Sequence, residues 1–248
     1  MSDQENLFDY LKRKDNRGKT TGEDKVAENK IPLGQAPVKN PDPFLQQAAS
    51  VSSLEDWRVI CLTCSRCGLR AGASGVVFGE GYSRAQIMFI GEGPGAEEDR
   101  QGRPFVGAAG RLLDKIINSV GLSRENVYIA NIVKCRPPKN RTPQKEEMET
   151  CFPLLEKQIE LIDPSILVLL GSVAAKTMIH PDLAITRARG SWHSWKGRLV
   201  MPTFHPAALL RDPGKKRPVW EDIQHVMARY EEFGEKEPKT HEKKDSPG

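Results

Sequence analysis

No stretch of the 248 residues approaches the ~18 consecutive apolar positions that a membrane-spanning helix needs. The opening residues, MSDQENLFDYLKRKDNRGKT, lack the apolar segment of a secretory signal, so a cytoplasmic chain is expected. Cysteine is scarce: five residues, an odd number far below the density of a disulfide scaffold. In a reducing compartment, clustered cysteines point to metal binding or catalysis. Charge of one sign is also missing, because 37 Lys+Arg against 33 Asp+Glu leave only +4, and the global field favours no partner class. Neither the Lys-Ser/Thr of a phosphate-binding P-loop nor a GxGxxG spacing occurs, which excludes the common nucleotide folds. With 38% hydrophobic and 28% charged residues the composition is that of a globular protein.

Composition divides the chain in three. Residues 1–50 are charged and scattered with Pro and Gly, with too little apolar surface to offset ordering entropy, so a disordered arm is expected. Leu7, Phe8, Tyr10 and Leu11 are its one apolar cluster, a candidate docking helix for a protein partner. Residues 234–248 read as a second disordered tail. Between them, 51–233 suit one domain. Apolar runs at 87–90, 127–133, 166–170 and 199–204 predict buried strands. The helical periods at 108–120, 144–162, 172–178 and 218–230 predict helices between and after them, with Ser172 as a cap. Near-continuous apolar strands alternating with amphipathic helices predict an α/β fold, a parallel sheet covered on both faces.

Ligands of such sheets bind beyond the carboxyl ends of the strands. At those ends stand Gly91-Glu92-Gly93-Pro94-Gly95, Asn131, Gly171 and His205, so a carboxylate, an amide and an imidazole are expected on one rim. The first turn is acidic (Glu92, Glu97, Glu98, Asp99) and would repel a triphosphate. Glu98 and Asp99 read as helix-start or surface charge, whereas Glu92 is placed to hold a water. Cys61-x2-Cys64-x2-Cys67, with Cys135 and Cys151, offers the four thiolates of a zinc site or a [4Fe–4S] cluster, and spacing leaves both open. Around and after Cys135, Lys134, Arg136, Lys139 and Arg141 lie in a proline-stiffened loop suited to tracking phosphates.

The segments CSRCGL, GEGPGAEED, GRPFVGAAGRLLD, VYIANIVKCRPPKNRTP, LVLLGSVAA and TFHPAALLRDP, with Cys151, resemble in that order the family 4 uracil-DNA glycosylases, the iron–sulfur branch of their superfamily. The likeness spans about residues 60–226. It implies a three-layer α/β/α sandwich on a central four-stranded parallel sheet, and a structural [4Fe–4S] cluster on Cys64, Cys67, Cys135 and Cys151. Cys61 is then supernumerary, and a competing register through Cys61 and Cys64 stays open. The resemblance also implies a monomeric, monofunctional, uracil-specific DNA N-glycosylase of base-excision repair, nucleoid-associated, that leaves an abasic site. A flipped uracil would stack on Phe105, pair with Asn131, meet Glu97 near its C5, and be lined by Gly91, Glu92 and Gly93. His205 would bond O2 as charge builds there, and Glu92 would position or activate water, although the better-known branch carries its Asp where this chain has Gly93. Leu209 would fill the vacated stack, while Arg136, Lys139, Arg141, Arg211 and the stretch 215–217 would meet phosphates. Two other readings compete: a catalytically silent binder of uracil-containing DNA, and a zinc-stapled scaffold whose partners dock on the arm.

Overall fold

The computed structural model describes residues 42–234. Four strands, β2 (Ile87–Gly91), β3 (Tyr128–Asn131), β4 (Ile166–Leu170) and β6 (Arg198–Thr203), run parallel in the order β3-β2-β4-β6. They are the four expected. Two short antiparallel strands extend the sheet to six: β1 (Glu80–Gly81) beside β3, and β5 (His193–Trp195) beside β6. Strands of two or three residues are too short to carry an alternation signal, so sequence patterning misses them.

Side chains alternate across a strand, and here the alternation sorts them into two cores. Met88, Ile90, Leu167, Leu169 and Val200 face one layer, made by α2 (Leu54–Leu62), α6 (Lys145–Ile162) and α7 (Ser172–Met178). Ile87, Phe89, Ile166, Val168 and Met201 face the other, where α5 (Ala108–Ser119) and α10 (Lys216–Gly234) pack. Leu112, Leu113, Ile116 and Ile117 form the buried stripe of α5 that its period predicts. The result is a three-layer α/β/α sandwich. Among the described residues no helix is long and apolar enough to cross a membrane.

Three local expectations change. The expected arm at 1–50 ends in a helix, α1 (Pro43–Ser50), capped by Asp42, whose carboxylate accepts from the Phe44 amide at 2.9 Å. Phe44 packs against Trp57 with ring centroids 6.0 Å apart, and Arg66 donates to Asp42 at 2.6 Å. Residues 1–41, including the apolar cluster at 7–11, and the tail 235–248 lie outside the described residues. Gly171, not Ser172, caps α7, in a left-handed conformation (φ +92) that favours glycine. Finally, α10 begins two residues before Pro218, which a first helical turn tolerates because its N–H groups have no helical partner.

Candidate active site

One cavity of about 750 Å³ opens at the carboxyl ends of the parallel strands. Glu92 beyond β2, Asn131 at the end of β3, Gly171 beyond β4 and His205 beyond β6 all line it, together with Phe105. The rim expected from the order of the strands is therefore one site. Glycine permits the close approach. A Cβ on Gly91 would lie 2.5 Å from Asn131 Oδ1 and 2.5 Å from Phe105 Cζ, so amide and ring share the space above that residue. Asn131 is 2% exposed and, among the described residues, its Oδ1 has no hydrogen-bond partner. A buried acceptor left unmade is costly unless a ligand supplies the donor.

Phe105 is held in an unusual backbone state, φ +53. Its carbonyl sits on α5 where a Cβ at Gly110 would lie 1.8 Å away, so only glycine fits at 110. The Arg124 guanidinium donates to the carbonyls of Pro104 (2.9 Å) and Phe105, and is itself paired with Glu80 and Asp114. From the other side the Glu98 carboxylate accepts from the amides of Val106 (3.0 Å), Gly107 (2.8 Å) and Gly95 (3.1 Å). Glu98 is thus no idle surface charge but the tie between the Gly-rich turn and the Phe105 loop. Asp99 is likewise buried, accepting from the Ser74 amide and hydroxyl at 2.9 Å each. The two acids start α4 (Ala96–Gln101) at positions where sequence reads only a charged helix end.

His205 caps α9 (Pro206–Arg211): its Nδ1 accepts the Ala207 amide at 3.1 Å. In a neutral imidazole that bond leaves the proton on Nε2. Burial, and then the nearby Arg211 charge, push the imidazole down to about 4, so it is neutral near pH 7. Its ring stacks on Phe105 at 5.5 Å and 30°. A Cβ on Gly171 would press within 2.9 Å of His205 Cβ, which ties the end of β4 to the seat of this ring. Burial raises the Glu92 carboxyl, opposed in part by a hydrogen bond from Thr142.

Two expected site residues stand elsewhere. Glu97 is a half-buried residue outside the cavity lining, paired with Arg100 and accepting from Gln101 at 2.6 Å. The α4 turn that aims Glu98 inward aims its neighbour outward. Leu209 is 0% exposed, packed in the core beneath α9, and is not presented to any stack of bases. Ala207 and Ala208, one turn edge away, face the cavity in its place. Of the basic residues, Arg141, Arg211 and Lys215 line the mouth, and Arg141 is also bidentate to Glu147. Arg136 donates to Asn140 at 2.7 Å, next to an exposed Lys139. Lys139 and Asn140 both have positive φ (55 and 56), a sharp reversal that bends this loop over the mouth.

A second, smaller cavity is lined by Cys64, Cys67, Cys135 and Cys151. Cys61 is absent from that lining and is packed, 0% exposed, into the neighbouring core. This favours the register through Cys64 and Cys67. Burial pushes the thiols of Cys135 up to about 12 and Cys151 up to about 11. Cys135 and Cys151 are buried and Cys64 and Cys67 half-buried around this cavity, and among the described residues no three of the His, Cys, Asp or Glu side chains are already drawn together as a metal site. The donor set, four sulfurs with Lys134, Arg66 and Arg70 beside them, suits a metal centre that would bind them as thiolates among compensating cations.

The sandwich and its strand-end cavity define a class. The family profile described as Uracil DNA glycosylase superfamily matches residues 78–224, and the chain belongs to that superfamily. Its relatives narrow the branch. The Type-4 uracil-DNA glycosylase of Sulfurisphaera tokodaii is 43% identical over 185 residues, 71% of this chain and 84% of the relative. That of Thermotoga maritima is 47% identical over 169 residues, 66% and 88% of the two chains. A Type-5 uracil-DNA glycosylase of Pyrobaculum aerophilum is 32% identical over 152 residues, 54% and 67%.

Proposed function

We propose that the chain acts as a uracil-DNA glycosylase through Glu92, Asn131 and His205, releasing uracil from deoxyuridine in DNA and leaving an abasic site. The observation that carries this reading is the orphaned Asn131 Oδ1 at the wall of the same cavity as a neutral His205. A base paired inside a duplex is out of reach, so the nucleotide is flipped out at a cost of a few kcal/mol. Phe105 offers the stacking face, worth roughly 1–3 kcal/mol for a base on an aromatic ring. Asn131 accepts from uracil N3–H through the atom that lacks a partner and donates to O4 through its amide nitrogen. Phe105 and Gly91 pack beside the amide, and discrimination requires that its orientation, oxygen toward N3, be kept. Cytosine, which presents the reverse pattern, would leave both of its bonds unmade.

The reaction breaks the N1–C1′ bond with its electron pair going to uracil, while a water oxygen bonds C1′ through an oxocarbenium-like sugar. His205 Nε2–H hydrogen-bonds O2 as negative charge grows on the departing base. A donor matched to charge that develops only in the transition state contributes about 3–4 kcal/mol in comparable sites. Glu92 orients the water and takes its proton. Arg211, Lys215 and the loop carrying Arg136, Lys139 and Arg141 meet the phosphates.

Cys64, Cys67, Cys135 and Cys151 are the proposed ligands of a [4Fe–4S] cluster, which when bound supplies a cross-link between the segment after α2 and the loop at the cavity mouth. The protein works in the cytoplasm as a monomeric repair enzyme, with residues 1–41 as the segment for a protein partner. The deciding experiment measures free uracil from oligonucleotides carrying one U, opposite G, opposite A and single-stranded. Turnover with an intact sugar-phosphate backbone is expected; a stable complex without release would make the chain a binder instead.

A further inference from the structure

Lys134 lies between the last residues of the β3 segment and the ligand candidate Cys135, and it is 1% exposed. Its backbone is fixed on both sides. The amide donates to Cys151 Sγ at 3.3 Å, and the carbonyl accepts from the Val77 amide at 2.7 Å. Its side chain lines the small cavity with the four thiols, yet its Nζ has no hydrogen-bond partner among the described residues. The other two cations at this cavity are engaged elsewhere: Arg66 with Asp42 and the Thr150 carbonyl, Arg70 with the Ala73 carbonyl. Among the described residues no carboxylate is hydrogen-bonded to Lys134.

An unpaired ammonium out of water is among the most expensive groups a fold can bury. A neutral thiol does not offset it. Four thiolates around an iron–sulfur core do, because they carry more negative charge than the core neutralises. We propose that Lys134 is the buried counter-cation of the cysteine-held centre, and that its ammonium favours the more electron-rich state of that centre. This rests on the reading in which Cys64, Cys67, Cys135 and Cys151 hold a [4Fe–4S] cluster. Charge beside such a centre, together with hydrogen bonds to its sulfurs and its solvent exposure, is what sets its reduction potential. Lys134 supplies the charge through Nζ and one of the hydrogen bonds through its backbone. A side-chain substitution changes only the first.

The test compares wild-type protein with Lys134→Met, which keeps the length of the chain and removes the charge, and Lys134→Arg, which keeps the charge. Each is purified anaerobically, assayed for iron and acid-labile sulfide, and titrated at an electrode. The Met variant is expected to hold its iron and shift to lower potential by at least tenfold in the reduction equilibrium, about 59 mV for one electron. The Arg variant is expected to stay near wild type. A loaded Met variant with unmoved potential overturns the assignment, all the more if its melting temperature rises, as it would for a charge buried without an anion. Should the Met variant fail to load, the Arg variant decides: iron content and potential near wild type support the counter-cation, and loss of iron there overturns it. Wild-type protein lacking iron and sulfide overturns the cluster reading itself, and this inference with it.

Discussion

Replacing Gly91 with Ala adds one methyl group at the point where the base reader and the stacking ring meet. The backbone tolerates it, because no left-handed φ is recorded at this position, so any effect is steric. The new Cβ would lie 2.5 Å from Asn131 Oδ1, 2.5 Å from Phe105 Cζ and 2.8 Å from Phe105 Cε2. Ordinary contact begins near 3.4 Å, so amide and ring must each retreat by roughly 1 Å. Misplacement of that size near a reacting centre costs on the order of a hundredfold. Overpacking a filled site costs about 1–3 kcal/mol in stability, which leaves the protein folded at assay temperature. Single-turnover release of uracil from a single-U oligonucleotide is therefore expected to fall ten- to a hundredfold, or about 1.4–2.7 kcal/mol in barrier. Gly75→Ala is the control, since a Cβ there meets nothing within 4 Å. A Gly91→Ala protein that is folded and as fast as wild type would refute the shared seat of Asn131 and Phe105.

Asn131→Asp removes the donor to O4 and is expected to slow uracil release ten- to a hundredfold, in line with roughly 1–3 kcal/mol for a bidentate base contact; equal rates in the same single-turnover assay would end the reader role. Because burial depresses the His205 imidazole to about 4 against about 6.5 in the unfolded chain, the unfolded state binds the extra proton between those values. Stability is then lost as pH falls from about 6.5 to about 4, by up to about 3 kcal/mol for this one group. The slope of melting temperature over that window should flatten in His205→Gln; an unchanged slope would place the titration elsewhere. Leu209→Ala is expected to lower unfolding free energy by roughly 2–5 kcal/mol as a core truncation. DNA affinity measured well below the melting temperature should be retained, and an affinity loss without destabilisation would return Leu209 to the DNA.

The glycines and the strand-end residues were legible because their chemistry is local. A five-residue apolar run such as 166–170 reads as a buried parallel strand, and the residue closing each run falls by topology at one edge. That reasoning reaches Glu92, Asn131, Gly171 and His205 without coordinates. It fails where rotation about a helix decides the outcome. Glu97 and Glu98 are chemically alike and adjacent, yet about 100° apart around α4, and only the latter meets the amides of residues 95, 106 and 107. Leu209 and Ala208 divide in the same way between core and cavity.

Composition, spacing and periodicity were enough to determine the four parallel strands, the helices between and after them, the cysteine supply and the edge on which chemistry collects. The tertiary structure alone decided which thiols line one cavity, that Cys61 belongs to the core, that the Lys134 ammonium is buried with no hydrogen-bond partner among the described residues, and that residues 43–50 form a helix against Trp57. The physical reason is range. Backbone preference and amphipathic period act over a few neighbours, whereas burial and the pairing of polar atoms depend on segments far apart in the chain, as Asp42, Arg66 and Thr150 are.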